Sequence, residues 1–120
     1  MRLEHKKTIR NVEDAPTKVY VSVGISSDDE FVLEGQEIGE GPETHFGDSD
    51  YEYWITVDAA HLHRLTELLI GRMRPSEKPR ITRNRLLDAV HGLLKGSDTP
   101  SSDWMAWLKE HDIPYRFFSY

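Results

Sequence analysis

Between residues 18 and 25 the chain alternates strictly, with Val19, Val21, Val23 and Ile25 on one side and Lys18, Tyr20, Ser22 and Gly24 on the other. An extended backbone points successive side chains to opposite faces, so this β-branched run reads as a strand with one face to bury. A second such run follows, in which Tyr51, Tyr53, Ile55 and Val57 alternate with Glu52, Trp54 and Thr56. Both of its faces carry aromatics, and the side bearing Tyr51, Tyr53, Ile55 and Val57 is expected to be core.

The rest of the chain supplies partners for these two strands. Residues 2–10 form a weaker alternation, Leu3, His5, Lys7 and Ile9 against Arg2, Glu4, Lys6 and Thr8, closed by the turn Glu13-Asp14-Ala15-Pro16. Ser26-Ser27-Asp28-Asp29 has side chains that bond their own backbone in turns, and Phe31-Val32-Leu33-Glu34 then returns as the second arm of a hairpin. Gly35, Gly39, Gly41, Pro42 and Gly47 predict a loop of about a dozen residues before the Tyr51 strand.

Asp58 is expected to cap a helix bearing Leu62, Leu65 and Leu68/Leu69 and ending at Gly71. A polar linker over residues 72–80 leads to a second helix, capped by Thr82, with the stripe Leu86/Leu87, Val90 and Leu93/Leu94. Thr99-Pro100 opens a third helix with Trp104, Met105, Leu108 and His111, stopped by Pro114. The aromatic tail Tyr115–Tyr120 is expected to join the sheet rather than dangle. The order β-β-β-β-α-α-α-β defines an α+β fold, an antiparallel sheet of four to five strands with helices packed on one face. At 120 residues this is one domain spanning residues 1–120.

Charge divides the sequence. From Asp28 to Asp58 there are eleven acids and no lysine or arginine, a formal −11 in a chain whose net charge is −6. Residues 64–95, by contrast, hold eight basic groups against three acids. The acidic balance opposes nucleic-acid binding through Arg72, Arg74, Lys78, Arg80, Arg83 and Arg85, since phosphate would have to approach a repulsive lobe. Absence of cysteine excludes disulfides and thiolate chemistry and suits a reducing, cytoplasmic setting. The N-terminal residues lack the apolar run of a signal peptide, and no apolar stretch approaches the roughly 20 residues of a membrane span.

Few residues invite catalysis. His61 and His63 would point about 200° apart on a helix, which does not suit one metal ion, and His91 and His111 read as core-edge histidines. Asp48-x-Asp50-x-Glu52 resembles calcium-ligand spacing, but it lacks the glycine and terminal glutamate of a full loop and reads as a solvated strand start. No nucleophile elbow, phosphate loop or dinucleotide fingerprint is present, so no cofactor and no enzymatic activity is expected. The acids invite a basic protein partner, with the loop and strand over residues 34–52 as its docking site. The candidate binding residues are Glu34, Glu37, Glu40, Glu43, Asp48, Asp50, Glu52 and Trp54, with Tyr51, Tyr53 and Phe46 as neighbouring aromatics. The alternative is a small enzyme or ligand-binding domain with a pocket between sheet and helices.

Three blocks, Leu33–Gly39, Phe46–Val57 and Trp107–Phe117, resemble small bacterial α+β proteins, some of which are similar to immunity proteins of polymorphic or contact-dependent toxin systems. That resemblance implies an α+β fold and a role in binding and neutralising a basic toxin domain, a nuclease being one example. The residues the resemblance implies for binding are Glu34, Glu37, Asp48, Asp50 and Glu52, the acids of the first two blocks.

Overall fold

The structure, a computed structural model, describes residues 3–13, 16–39, 50–72 and 76–119. Strands β1 (Leu3–Val12), β2 (Thr17–Ser26), β3 (Phe31–Gly39), β4 (Asp50–Val57) and β5 (Arg116–Ser119) form one antiparallel sheet in the order β1-β2-β3-β4-β5. Three helices, α1 (Leu62–Ile70), α2 (Pro79–Leu94) and α3 (Pro100–Glu110), lie in sequence between β4 and β5. The expected α+β order is therefore observed, and the aromatic tail returns to pair with β4, Ile55 opposite Phe117 and Trp54 opposite Phe118.

Register assigns each strand residue a face. Val23 pairs with Leu33 and Leu33 with Ile55, so these three share the face that packs on the helices, together with Val21, Ile25, Phe31 and Val57. Their buried partners are Leu65 of α1, Leu86, Val90 and Leu94 of α2, and Trp104 and Leu108 of α3. Truncating a side chain such as Leu108, fully enclosed in that cluster, costs about 2–5 kcal/mol. Strand β1 keeps the predicted alternation only in part, because its register shifts between Leu3 and His5 and again between Thr8 and Arg10. Lys7 faces the helices and reaches Asp88 of α2 at 2.6 Å, whereas Leu3 has crossed to the other side. There it lies over Gly24, where an added Cβ would sit 2.8 Å from Leu3 Cδ1.

The helix starts differ from the sequence expectation. The Asp58 side chain caps no helix: Asp58 precedes a 3-10 turn, Ala59–His61, that leads into α1, and its carboxylate takes Arg116 at 2.8 Å instead. Helix α2 begins at Pro79, not at Thr82, because proline at the first helical position has no N–H to lose and a favourable φ. Thr82 bonds the Glu77 carboxylate at 2.8 Å, which also receives Arg85 at 2.8 and 3.0 Å and places a negative charge at the helix start. Thr99 and Pro100 do open α3, although the Thr99 hydroxyl goes to Asp103 rather than to the backbone. Of the predicted stripes, Leu68 and Leu93 point outward, each 44% exposed.

Strand β3 is the largest departure. It runs five residues beyond Glu34, to Gly39, because Glu37 pairs with Val19 and Tyr51 on either side. The predicted loop over Gly35 to Gly39 is thus sheet. In α3, Trp104 stacks on Trp107 at 5.3 Å and tilts against Phe31 at 5.5 Å. Its indole Nε1 is buried without a hydrogen-bond partner among the described residues.

Candidate functional site

Because alternate residues of β3 and β4 face opposite ways, the sheet sorts the acidic candidates into two sets. Glu34 lies opposite Trp54, Gln36 opposite Glu52 and Ile38 opposite Asp50, and all six point away from the helices. Glu37 is on the other side, opposite Tyr51. The structure therefore brings Glu34, Asp50, Glu52 and Trp54 together and separates Glu37 from them. Glu40, Glu43, Asp48 and Phe46 lie outside the described residues.

On the helix-free face a shallow hollow of about 200 Å³ is lined by Lys6, Tyr20, Ser22, Glu34, Gly35, Gln36, Glu52 and Trp54. Lys6 reaches Glu34 at 2.6 Å, and the Gln36 amide donates to both Asp50 and Glu52 at 3.3 Å. The amide thus joins two of the three acids of Asp48-x-Asp50-x-Glu52, and no group of three metal-ligating side chains gathers among the described residues. Beside the hollow, Trp54 and Phe118 pack at 5.5 Å, with Phe118 61% exposed on the edge strand. Further along the face, Arg116 spans from β5 over Thr56 to Glu30 at 2.7 Å and Asp58 at 2.8 Å. Thr56 and Val32 are buried at that end although both point away from the helices.

Much of the acidic stretch is answered from within the chain. Asp29 pairs with Arg83, Glu30 and Asp58 share Arg116, and Glu34 holds Lys6. The basic segment is engaged likewise: Arg83 and Arg85 hold carboxylates, and Arg64 donates to the His111 carbonyl at 3.0 Å. Among the predicted histidines, His63 pairs with Glu67 at 2.7 Å along α1. His111 stacks on Trp107 at 4.1 Å, the core-edge position expected of it.

The helix side holds a roomier feature. Between the β2-β3-β4-β5 surface and the start of α3 lies a cavity of about 280 Å³. Tyr51, Tyr53 and Phe117 wall it, Tyr51 and Tyr53 with centroids 5.6 Å apart and Tyr53 stacked on Phe117 at 6.0 Å. Tyr53 occupies the space over Gly35, directly opposite it in the sheet, and its hydroxyl meets Ser101 Oγ at 2.6 Å. Burial pushes the Tyr53 phenol up from its ordinary range, the Ser101 bond opposes that, and the negative charge of Glu37 adds to it. Arg10 lines the far wall with its guanidinium bonded to the Ser97 carbonyl at 3.1 Å and to Asp98 at 3.2 Å.

Sequence reasoning missed Arg10, Phe117, Phe118 and Ser101 as site residues, since their strand neighbours and the position of α3 are set only by the tertiary fold. The alternation of the Tyr51 strand was a usable signal for the tyrosine wall. Compared with protein-family models, curated proteins and solved structures, the chain matches none. Among the described residues no helix is long and apolar enough to cross a membrane.

Proposed function

We propose that this chain is a non-enzymatic protein-binding module, immunity-like in character, that docks a basic partner on the helix-free face of its sheet. The observation that carries this reading is the Trp54–Phe118 pair, a large aromatic contact on a sheet face in which Phe118 is exposed and Trp54 half-buried, flanked by Glu34 and Glu52. Isolated exposed apolar residues are ordinary, but a paired tryptophan and phenylalanine beside carboxylates is the composition of a binding hot spot. The surrounding acids steer a cationic surface toward it, and the aromatics supply the desolvated anchor once it arrives. A nuclease toxin domain, basic where it grips phosphate, is a partner of that chemistry. The pairing of Glu34 with Lys6 and the removal of Glu37 to the opposite face narrow the docking surface to Trp54, Phe118, Tyr20, Asp50 and Glu52.

Co-purification from the native host at low ionic strength, followed by calorimetry with the purified retained protein, tests the proposal. Phe118→Ala and Trp54→Ala are each expected to weaken binding by about 30-fold or more, the size of a hot-spot truncation, and Glu52→Lys to slow association. Glu37→Lys, on the opposite face, should leave the affinity unchanged. Retention of no basic protein, or wild-type affinity in the Trp54 and Phe118 variants, overturns the reading.

A further inference from the structure

The cavity beside α3 is not explained by docking on the opposite face of the sheet. Its volume of about 280 Å³ lies near the lower end of small-ligand pockets, about 300 Å³. Its chemistry is lopsided. Among the described residues Glu37 has no hydrogen-bond or ion-pair partner, yet it stands half-buried at the tyrosine wall opposite Tyr51. Two of the side chains that might instead receive an anion are already engaged. Arg10 is held by the Ser97 carbonyl and Asp98, and the Ser101 hydroxyl by Tyr53. Asp103 in the first turn of α3 supplies the negative charge that a helix N-terminus favours, and it is held by Ser97 and Thr99.

Across the cavity one carboxylate faces a row of three aromatic rings, Tyr51, Tyr53 and Phe117. Aromatic faces attract cations through the ring quadrupole, and a carboxylate adds charge-assisted hydrogen bonds to an N–H donor. The apolar remainder of the lining, Val19, Val21 and Met105, suits a short hydrocarbon stem. We propose that this cavity is a binding site for a small organic cation, a guanidinium or primary ammonium on a short alkyl chain, with its head between Glu37 and the tyrosine wall and its stem along Val19, Val21 and Met105. Free ligand is the occupant, and the site operates independently of any partner on the helix-free face.

Titration of the full chain with n-butylguanidinium, followed by two-dimensional amide NMR, tests this directly. Saturable shifts are expected at Glu37, Tyr51, Tyr53, Ser101 and Phe117, with a dissociation constant on the order of a millimolar, as befits a ligand of so few atoms. Sodium butyrate and n-butanol, which match the chain length without the positive charge, are expected to cause no saturable shift. Glu37→Gln should weaken the cation by about tenfold or more, because it removes an ionised acceptor and keeps the shape of the side chain. Phe117→Leu, on a half-exposed position, should weaken it while leaving Glu37 in place. The assignment is overturned by linear, non-saturating shifts to about 50 mM, an upper limit more than tenfold above the expected constant. Preference for butyrate, unchanged affinity in Glu37→Gln, or shifts centred on Trp54 and Phe118 would overturn it equally. The wild-type shift map alone decides these outcomes should a variant fold poorly.

Discussion

Gly35 faces Tyr53 across the β3–β4 ladder, and the tyrosine ring occupies the space a side chain at residue 35 would need. A Cβ built on Gly35 would stand 2.1 Å from Tyr53 Cζ and 2.6 Å from Cε1, far inside van der Waals contact. Gly35→Ala therefore has to move the ring. An aromatic residue buries about 150–250 Å² and apolar burial is worth about 25 cal/mol per Å², so expelling half of that area loses roughly 2–3 kcal/mol. The hydroxyl bond to Ser101 adds about 1 kcal/mol, and the lower chain entropy of alanine returns about 0.5–1 kcal/mol. The net is a destabilisation of about 2–3 kcal/mol in urea unfolding. At about 2.1 cal/mol/K of unfolding entropy per residue, that lowers Tm by roughly 8–12 °C in a chain of 120 residues. A double-mutant cycle isolates the cause. In a Tyr53→Ala background the clash is gone, and Gly35→Ala should be neutral or stabilising, giving a coupling of about 2 kcal/mol or more. An additive cycle, or a Gly35→Ala variant as stable as wild type, refutes the claim that the glycine exists to seat the tyrosine.

Tyr53 also predicts a pH dependence. Its phenol is raised above 10.0 in the folded chain, mainly by burial, so above that pH the unfolded chain loses a proton that the folded chain keeps. Stability is therefore full below pH 10 and falls as pH rises through the folded value, and Tyr53→Phe should show a shallower loss between about pH 9 and 11 in urea unfolding. Asp58 offers a second test. A capping role would be preserved by asparagine, which caps as well as aspartate, whereas the observed pair with Arg116 would not. Asp58→Asn should cost up to about 1 kcal/mol at low salt, since both groups are more than half exposed, fading at high salt. In an Arg116→Gln background it should have no effect, and an undiminished loss there would restore the cap.

The sequence was most informative where periodicity and burial agree. The alternation from Val19 to Ile25 and from Tyr51 to Val57 named the core face of two strands correctly, because one misplaced residue there would put four apolar side chains into water. Helix existence was equally legible, and so was the Thr99-Pro100 start of α3, while the starts of α1 and α2 were not. Thr82 and Asp58 look like caps by composition, but Pro79 fixes the start of α2, and Arg116, distant in sequence, claims Asp58. The bulges of β1 carried no sequence mark, and they decide that Leu3 and Arg10 change sides.

The candidate site was harder to read because its correctness turns on a single boundary. While Gly35 and Gly39 are taken as loop residues, Glu34 and Glu37 belong to one mobile acidic surface and their relative direction is immaterial. Once β3 continues to Gly39, parity governs, and residues three apart must point to opposite faces. Nothing local forbids that continuation: glycine is weak in strands, but Gly35 is needed under Tyr53, and β2 is long enough to pair Thr17 with Gly39. The same three-residue spacing that dissolves the acidic lobe places Glu37 alone against an aromatic wall and leaves Trp54 with Phe118 on the other side. Two surfaces of different chemistry thus arise from one charged stretch. Charge reversal at Glu52 and at Glu37 should then affect different ligands, which a single acidic docking face does not allow.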